Sequence, residues 1–216
     1  MMRLFLVLFG FAGGAALIAV GLAVSATNFL GWLVAAVGAA YGLGSAVWFT
    51  IKGVGGRVVR EETGDRSFWL IIPGFVAIFF GPPLEYLYLP ETLSRASAMQ
   101  GIGVALLLIG VALRLWVRRT LREMYTGHVQ VQTEHRLVRE GPYSFLRHPG
   151  YAAFVLMAVG FSVGFSSLVG LTAIPLLLLP GLIYRMNVEE ELLIEQFGDG
   201  YREYASVTKR LLPGIW

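Results

Sequence analysis

Cysteine is absent from the 216-residue chain. Its absence excludes disulfides, thiolate zinc sites, iron–sulfur clusters and a cysteine nucleophile. Charged residues are also scarce, at 14%, whereas 56% of the residues are hydrophobic and the mean hydropathy is +0.67. The G-x-G-x-x-G turn typical of soluble dinucleotide-binding domains does not occur in the sequence. This composition indicates an integral membrane protein and not a soluble domain.

Apolar runs divide the chain into six candidate membrane spans, each close to the roughly 20 residues that cross a bilayer as a helix. The runs lie at about 4–24, 29–51, 68–89, 96–117, 150–166 and 168–186. We therefore predict an all-α integral membrane protein with about six transmembrane helices in a single membrane domain. Residues 1–67 would form an N-terminal transmembrane hairpin and a cytosolic loop, and residues 68–216 would form the core.

Proline and glycine indicate where these helices should bend or pack closely. The third run contains Pro73, Pro82 and Pro83, and we expect it to kink or to end early near Gly81. The last run also contains proline and should be kinked, with its freed carbonyls satisfied by neighbours. Small-xxx-small spacing predicts close helix packing and not phosphate binding. It occurs at Gly10/Gly14, Gly38/Gly42 and Gly160/Gly164.

Basic residues predict the orientation in the membrane. If the N-terminus is cytoplasmic, every Lys and Arg except Arg95 falls on the inner side, which is a strong positive-inside bias. An even number of spans then places both termini in the cytoplasm, and we expect a bacterial inner membrane as the location. The net charge of +3 is modest. It favours contact with anionic membrane lipids and gives no indication of nucleic-acid binding.

A first polar segment precedes the fifth apolar run on this cytoplasmic side. It carries Arg147 and His148 between Tyr143 and Tyr151. Proline is tolerated in a first helical turn, so Pro149 predicts a helix whose cap is at or near His148. The free N–H groups at such a helix start favour an anion such as a carboxylate. Taken alone, the basic pair also fits a membrane flank, and the tyrosines also fit an interfacial aromatic belt.

A second polar segment follows the last apolar run. Arg185 and Glu189 are four residues apart and share a helix face, with Glu190 next to them. A surface salt bridge at a helix end is the plain alternative, and such a pair contributes little. Polar groups gathered at the end of membrane spans are costly unless they are paired, and by default they suggest a functional site.

The two segments belong to one ordered pattern that covers residues 135–216. The pattern runs His135-x-Leu137-Val138-x-x-Gly141-x-Tyr143-x-x-x-Arg147-His148-Pro149-x-Tyr151, then Arg185-x-x-x-Glu189-Glu190, then Phe197-Gly198-x-x-Tyr201-x-x-Tyr204, and finally Arg210-x-x-Pro213. It resembles the isoprenylcysteine carboxyl methyltransferase family, and also the wider group of small membrane methyltransferases that includes phospholipid N-methyltransferases.

The resemblance implies a catalytic core in residues 68–216 that binds S-adenosylmethionine in a cytosol-facing pocket formed by the C-terminal half. A lipophilic methyl acceptor would enter from the bilayer. The implied cofactor-binding residues are His135, Leu137, Val138, Tyr143, Arg147, His148, Tyr151 and Glu190. The implied catalytic residues near the acceptor are Arg185 and Glu189. No metal is implied, and the resemblance does not determine the oligomeric state.

Three functions remain open on the sequence. The first is methylation of the carboxylate of a prenylated cysteine or a similar lipophilic acid, which Arg185 would bind in a two-pronged grip. The second is N-methylation of phosphatidylethanolamine, in which Glu189 or Glu190 would have to take the amine proton. The third is a non-catalytic membrane transporter or assembly protein, which would bind no cofactor.

Overall fold

A computed structural model describes residues 58–61, 67–90, 93–121, 130–132 and 137–212, together with residues 33, 35–37, 39–40, 43–44, 214 and 216. The first predicted span, most of the second and most of the 1–67 segment lie outside these residues. The same is true of His135 and of the glycine pairs Gly10/Gly14 and Gly38/Gly42.

The last four of the six predicted spans are helices. They are α1 (Ser67–Tyr88), α2 (Ser97–Leu121), α3 (Pro149–Gly164) and α4 (Leu168–Phe197), and a short helix α5 (Asp199–Val207) follows them. By length and composition, α1, α2 and α4 are each able to cross a membrane, and α3 is a shorter apolar helix. The predicted helical membrane fold is confirmed, and a short turn at residues 165–167 joins α3 to α4.

One small sheet adds to the helical fold and was not predicted. Strand β1 (Val58–Glu61) pairs antiparallel with β2 (Gln130–Gln132), with an irregularity in the register. The two strands belong to polar connections that are separated by α1 and α2 in the sequence. Strand pairing between remote loops depends on where the helices place them, so no local pattern indicates it.

Helix α1 continues to Tyr88 through all three of its prolines. Of the two alternatives for this run, an early end near Gly81 is therefore wrong, and a kink stays a prediction. Proline is tolerated within a membrane helix when neighbouring helices pack around it and satisfy the freed backbone. The last predicted span does deviate at its proline. Residues Ile174–Leu178 of α4, which include Pro175, form a π-helical turn, a common site of helix bending.

Helices α2 and α3 approach each other so closely that glycine is required at their crossing. A Cβ atom at Gly103 would lie 2.2 Å from the backbone N of Gly164, and one at Gly160 would lie 2.4 Å from the backbone N of Leu107. Small residues allow membrane helices to pack backbone to backbone. The predicted packing role of Gly160/Gly164 is confirmed.

The buried core consists of two groups of apolar side chains on either side of α3. One group joins α2 and α3 to the described part of the second span: Ala35, Ala39, Val104, Leu107, Met157, Phe161 and Phe165. The other joins α1, α3 and α4: Ile71, Ile78, Ala158, Ala173, Ile174, Leu178 and Leu182. Helix α3 is therefore held from both sides, and its first residues are fixed in place.

A buried carboxylate ties α1 to the start of α4. Glu85 is only 4% exposed. It accepts hydrogen bonds from the Ser167 hydroxyl and from the backbone N–H groups of Leu168 at 3.1 Å and Val169 at 2.9 Å. A negative side chain at a helix N-terminus satisfies free donors and interacts favourably with the helix dipole. This contact fixes the end of the bundle opposite to the polar segments.

Candidate active site

The start of α3, the end of α4 and the segment after α5 meet at one end of the bundle. A 3₁₀ turn, Gly141–Ser144, leads into an extended stretch that pairs with the segment after α5. The backbone N–H of Arg147 donates to the carbonyl of Lys209 at 2.7 Å, and that of His148 donates to the carbonyl of Arg210 at 3.1 Å. This pairing brings together side chains that are about 60 residues apart.

His148 is the N-cap residue of α3, and Pro149 occupies the first helical position, as predicted. The His148 side chain is buried between two carboxylates. Its Nε2 atom lies 3.0 Å from Oε1 of Glu190, and its Nδ1 atom lies 3.7 Å from Oε2 of Glu189. The ring also stacks against that of Tyr151, with centroids 5.6 Å apart. Its orientation is therefore fixed by both polar segments.

Glu190 lies at the centre of the site and accepts hydrogen bonds from three side chains. Arg147 Nε and His148 Nε2 each lie 3.0 Å from Oε1. Arg210 contributes Nη2 at 2.8 Å from Oε2 and Nε at 3.1 Å from Oε1. Charge-assisted hydrogen bonds of this kind are the strong ones in proteins. Arg147 and Arg210 are thus both paired with the carboxylate of Glu190.

A second set of hydrogen bonds lies beside the contacts of Glu190 and joins Arg185, Tyr151 and Glu189. Arg185 Nε donates to the Tyr151 hydroxyl at 2.9 Å, and that hydroxyl donates to Oε2 of Glu189 at 2.9 Å. Arg185 is only 9% exposed. The alternative of a surface salt bridge at a helix end is therefore wrong for Arg185. The tyrosine connects the two residues that the sequence had placed on one helix face.

Arg147 also holds α5 in place. Its Nη1 atom donates to the carbonyls of Ala205 at 2.6 Å and Thr208 at 2.7 Å. Tyr204 of α5 donates its hydroxyl to the carbonyl of Tyr143 at 2.7 Å. Burial raises the pKa of Tyr204 to about 12. The short helix α5 is therefore part of the site.

Tyr201 of α5 is buried close to Glu190 and Arg147 of this cluster. The residue is 2% exposed, and its hydroxyl has no hydrogen-bond partner among the residues that the structure describes. Burial raises the pKa of Tyr201, and the nearby charge of Glu190 raises it further. Buried hydroxyl groups are almost always paired in folded proteins, so this one is available for a ligand or a water molecule.

The structure brings together six of the ten predicted site residues: Arg147, His148, Tyr151, Arg185, Glu189 and Glu190. Tyr143 is linked to α5 through its carbonyl. Leu137 and Val138 lie half-buried just before the 3₁₀ turn. The prediction for His135 stays untested, because that residue lies outside the described part of the chain.

One residue of the cluster was not predicted as a site residue. Arg210 binds Glu190, and it also donates from Nη2 to Oδ1 of Asn187 at 2.6 Å. Arg210 did belong to the sequence pattern, but nothing near it in the sequence indicates a partner 20 residues earlier. Asn187 is exposed and contacts Arg210 from outside the cluster.

The fold and the site define an integral membrane protein with a cluster of paired, largely buried charged side chains at one end of its helices. A sequence model of the isoprenylcysteine carboxyl methyltransferase family matches residues 103–195, which include most of this site. A probable protein-S-isoprenylcysteine O-methyltransferase from Oryza sativa subsp. indica is 32% identical over 133 residues, covering 61% of this chain and 69% of the rice protein.

Two further comparisons agree. An uncharacterised protein from Haemophilus influenzae is 30% identical over 141 residues, covering 63% of this chain and 78% of that protein. The solved structure of a eukaryotic intramembrane Ras methyltransferase has the same fold, with a TM-score of 0.63 at 20% identity, covering 94% of this chain and 74% of the other. The chain belongs to the isoprenylcysteine carboxyl methyltransferase family and is a membrane methyltransferase.

Proposed function

We propose that this methyltransferase transfers the methyl group of S-adenosylmethionine to the carboxylate of a prenylated cysteine or a similar lipophilic acid. The acceptor would reach the site from the bilayer. Family membership supports the class of acceptor, since several relatives carry the name protein-S-isoprenylcysteine O-methyltransferase. We also propose that the site and both termini face the cytoplasm of a bacterial inner membrane, which the positive-inside bias of the sequence supports.

The residues of the site fit S-adenosylmethionine chemically. This cofactor carries a carboxylate, an ammonium group, a sulfonium and ribose hydroxyls, so it needs cationic, anionic and neutral partners together. Arg147 and His148 would hold its carboxylate, and Glu190 would bind its amino group or ribose. The unpaired hydroxyl of Tyr201 adds a buried polar partner. His135, Leu137, Val138 and Tyr143 would lie toward the adenine, and Tyr151 would line the pocket.

The burial of Arg185 is the observation that carries the choice of acceptor. Arg185 is only 9% exposed, and the nearby residues Leu182 and Met186 of the same helix are fully buried. Arg185 therefore marks the border between the apolar part of α4 and the charged cluster. In addition, three guanidinium groups outnumber two carboxylates in the cluster. An anionic head with an apolar tail fits this border, whereas an amine would add another positive charge.

The reaction would then need little acid–base catalysis from the protein. When bound, S-adenosylmethionine supplies an electrophilic methyl group on its sulfonium. Arg185 would orient the acceptor carboxylate through paired hydrogen bonds, and Tyr151 would hold Arg185 in place. The apolar side chains around Arg185 would exclude water, and alignment with desolvation would provide most of the acceleration. A carboxylate is already ionised, so Glu189 would keep the tyrosine oriented and would not act as a base.

A transfer assay with two acceptors tests this proposal. Purified protein in lipid–detergent micelles is given methyl-labelled S-adenosylmethionine with either N-acetyl-S-farnesylcysteine or phosphatidylethanolamine. We expect label in the farnesylcysteine as an alkali-labile ester and none in the phospholipid. Arg185→Gln should abolish this transfer and leave S-adenosylhomocysteine binding intact. Arg202→Gln serves as a matched control because Arg202 is exposed and pairs with exposed Asp199. Alkali-stable label in the phospholipid alone would contradict the proposal.

A further inference from the structure

Arg210 reaches the site from a segment that lies beyond all of the helices. Lys209 and Arg210 pair with the stretch before α3 through three backbone hydrogen bonds, the third from Lys209 N–H to the carbonyl of Phe145 at 3.1 Å. The pairing fixes the backbone of Arg210 next to that of His148. Its side chain then extends over the end of α4 and is only 18% exposed.

The three partners of Glu190 do not hold the same oxygen. Arg147 Nε and His148 Nε2 are both bonded to Oε1. Arg210 bonds to both oxygens, and among the described residues it is the one that holds Oε2, with Nη2 at 2.8 Å and Nε at 3.2 Å. A carboxylate held at one oxygen can rotate about that contact, whereas a carboxylate held at both has a fixed plane.

We propose that Arg210 is a positioning residue that acts through Glu190. It fixes the plane of the Glu190 carboxylate, so that this group meets the amino group or ribose of the cofactor in one orientation. This inference rests on the proposed binding of S-adenosylmethionine and assigns Arg210 no contact with the cofactor. The segment after α5 thereby completes the cofactor site, which helices α3 and α4 alone would leave loosely defined.

The contact between Arg210 and Asn187 provides a matched control. Asn187 is exposed and accepts a hydrogen bond from Arg210 Nη2 at 2.6 Å. Asn187→Ala removes this bond and leaves all bonds between Arg210 and Glu190 in place. An effect that comes from the orientation of Glu190 should therefore appear in Arg210 variants and be absent in Asn187→Ala.

Calorimetric binding of S-adenosylhomocysteine to the purified full chain tests the inference. We expect Arg210→Gln to bind about tenfold more weakly than wild type, which corresponds to about 1.4 kcal/mol. Arg210→Lys should recover part of the affinity, because an ammonium retains the charge and lacks the planar fork. Asn187→Ala and Arg202→Gln should bind within about twofold of wild type, as expected for sites that do not couple.

A double-mutant cycle with Glu190→Gln separates positioning from direct contact. If Arg210 acts through Glu190, Arg210→Gln should cause little further loss in the Glu190→Gln background. Full additivity of the two losses would overturn the positioning role, and so would unchanged binding by Arg210→Gln or equal losses in Arg210→Lys and Arg210→Gln. Absence of binding by the wild-type protein would overturn the proposed function together with this inference. Wild-type binding with an unaffected Arg210→Gln would overturn this inference alone.

Discussion

Replacing Arg147 by alanine should destabilise the protein even when no cofactor is present. The Arg147 side chain is 14% exposed and donates to Glu190 and to the carbonyls of Ala205 and Thr208. Hydrogen bonds from a charged group each contribute about 1.5–3 kcal/mol. Glu190 keeps two other partners, so its charge is not left unpaired. We therefore expect a loss of about 3–6 kcal/mol from the two carbonyl contacts alone.

The loss should depend on the shape of the side chain as well as on its charge. Arg147→Lys keeps the positive charge, but an ammonium cannot reach a carboxylate and two separate carbonyls in the way that a guanidinium does. We expect its stability to lie between those of wild type and Arg147→Ala. The measurement is the free energy of unfolding in mixed micelles, from the loss of helical circular dichroism against denaturant.

Arg139→Gln is the control for this experiment. Arg139 also contacts α5, through the carbonyl of Gly200 at 2.6 Å and the carboxylate of Glu203 at 3.6 Å. Its side chain is 46% exposed, so removing these contacts should cost less than about 1 kcal/mol. Equal losses in Arg147→Ala and Arg139→Gln would refute the argument, because burial would then make no difference to what the contacts contribute.

Three further predictions concern stability and use the same unfolding measurement. Gly160→Val should destabilise by about 2 kcal/mol or more, since overpacking against a backbone atom costs 1–3 kcal/mol, whereas Gly101→Ala should be neutral because a Cβ there has open space; equal effects would contradict the close-packed crossing. Glu85→Ala should cost about 1–3 kcal/mol, because the Ser167 hydroxyl and the N–H groups of Leu168 and Val169 lose their acceptor, and a neutral result would contradict this role. Tyr204 releases its proton near pH 10 when unfolded and near 12 when folded, so its contribution to stability should be fully present below pH 10 and fall from pH 10 to 12. This fall should be smaller in Tyr204→Phe, and an unchanged profile would rule out Tyr204 as its source.

Hydropathy and helix signals predicted the helices of the C-terminal part well. The runs at 68–89, 96–117, 150–166 and 168–186 correspond to α1 to α4, because a span must be long and apolar wherever it packs. Pro149 and His148 were placed correctly at the start of α3. Proline was less informative within a run: α1 continues past Pro82 because neighbouring helices support it, and a sequence does not identify those neighbours.

The sequence predicted which residues belong to the candidate site, but it did not predict how they contact each other. The sequence pattern selected Arg147, His148 and Glu190, and all three meet in the structure. Their implied roles toward a cofactor stay predictions. The sequence did not indicate which of these side chains pair with each other. It also did not indicate that Arg210 binds Glu190.

The sequence by itself determined that this protein is helical, lies in a membrane and carries its polar groups at the ends of its spans. These properties follow from composition and from periodicity within about 20 residues, which is the range over which a helix and a bilayer act. Only the tertiary structure decided which cation meets which carboxylate. His148 lies 42 residues before Glu190 and Arg210 lies 20 residues after it. Such contacts depend on how α3, α4 and the segment after α5 pack, and the energy of a charged contact depends on distances that packing alone sets.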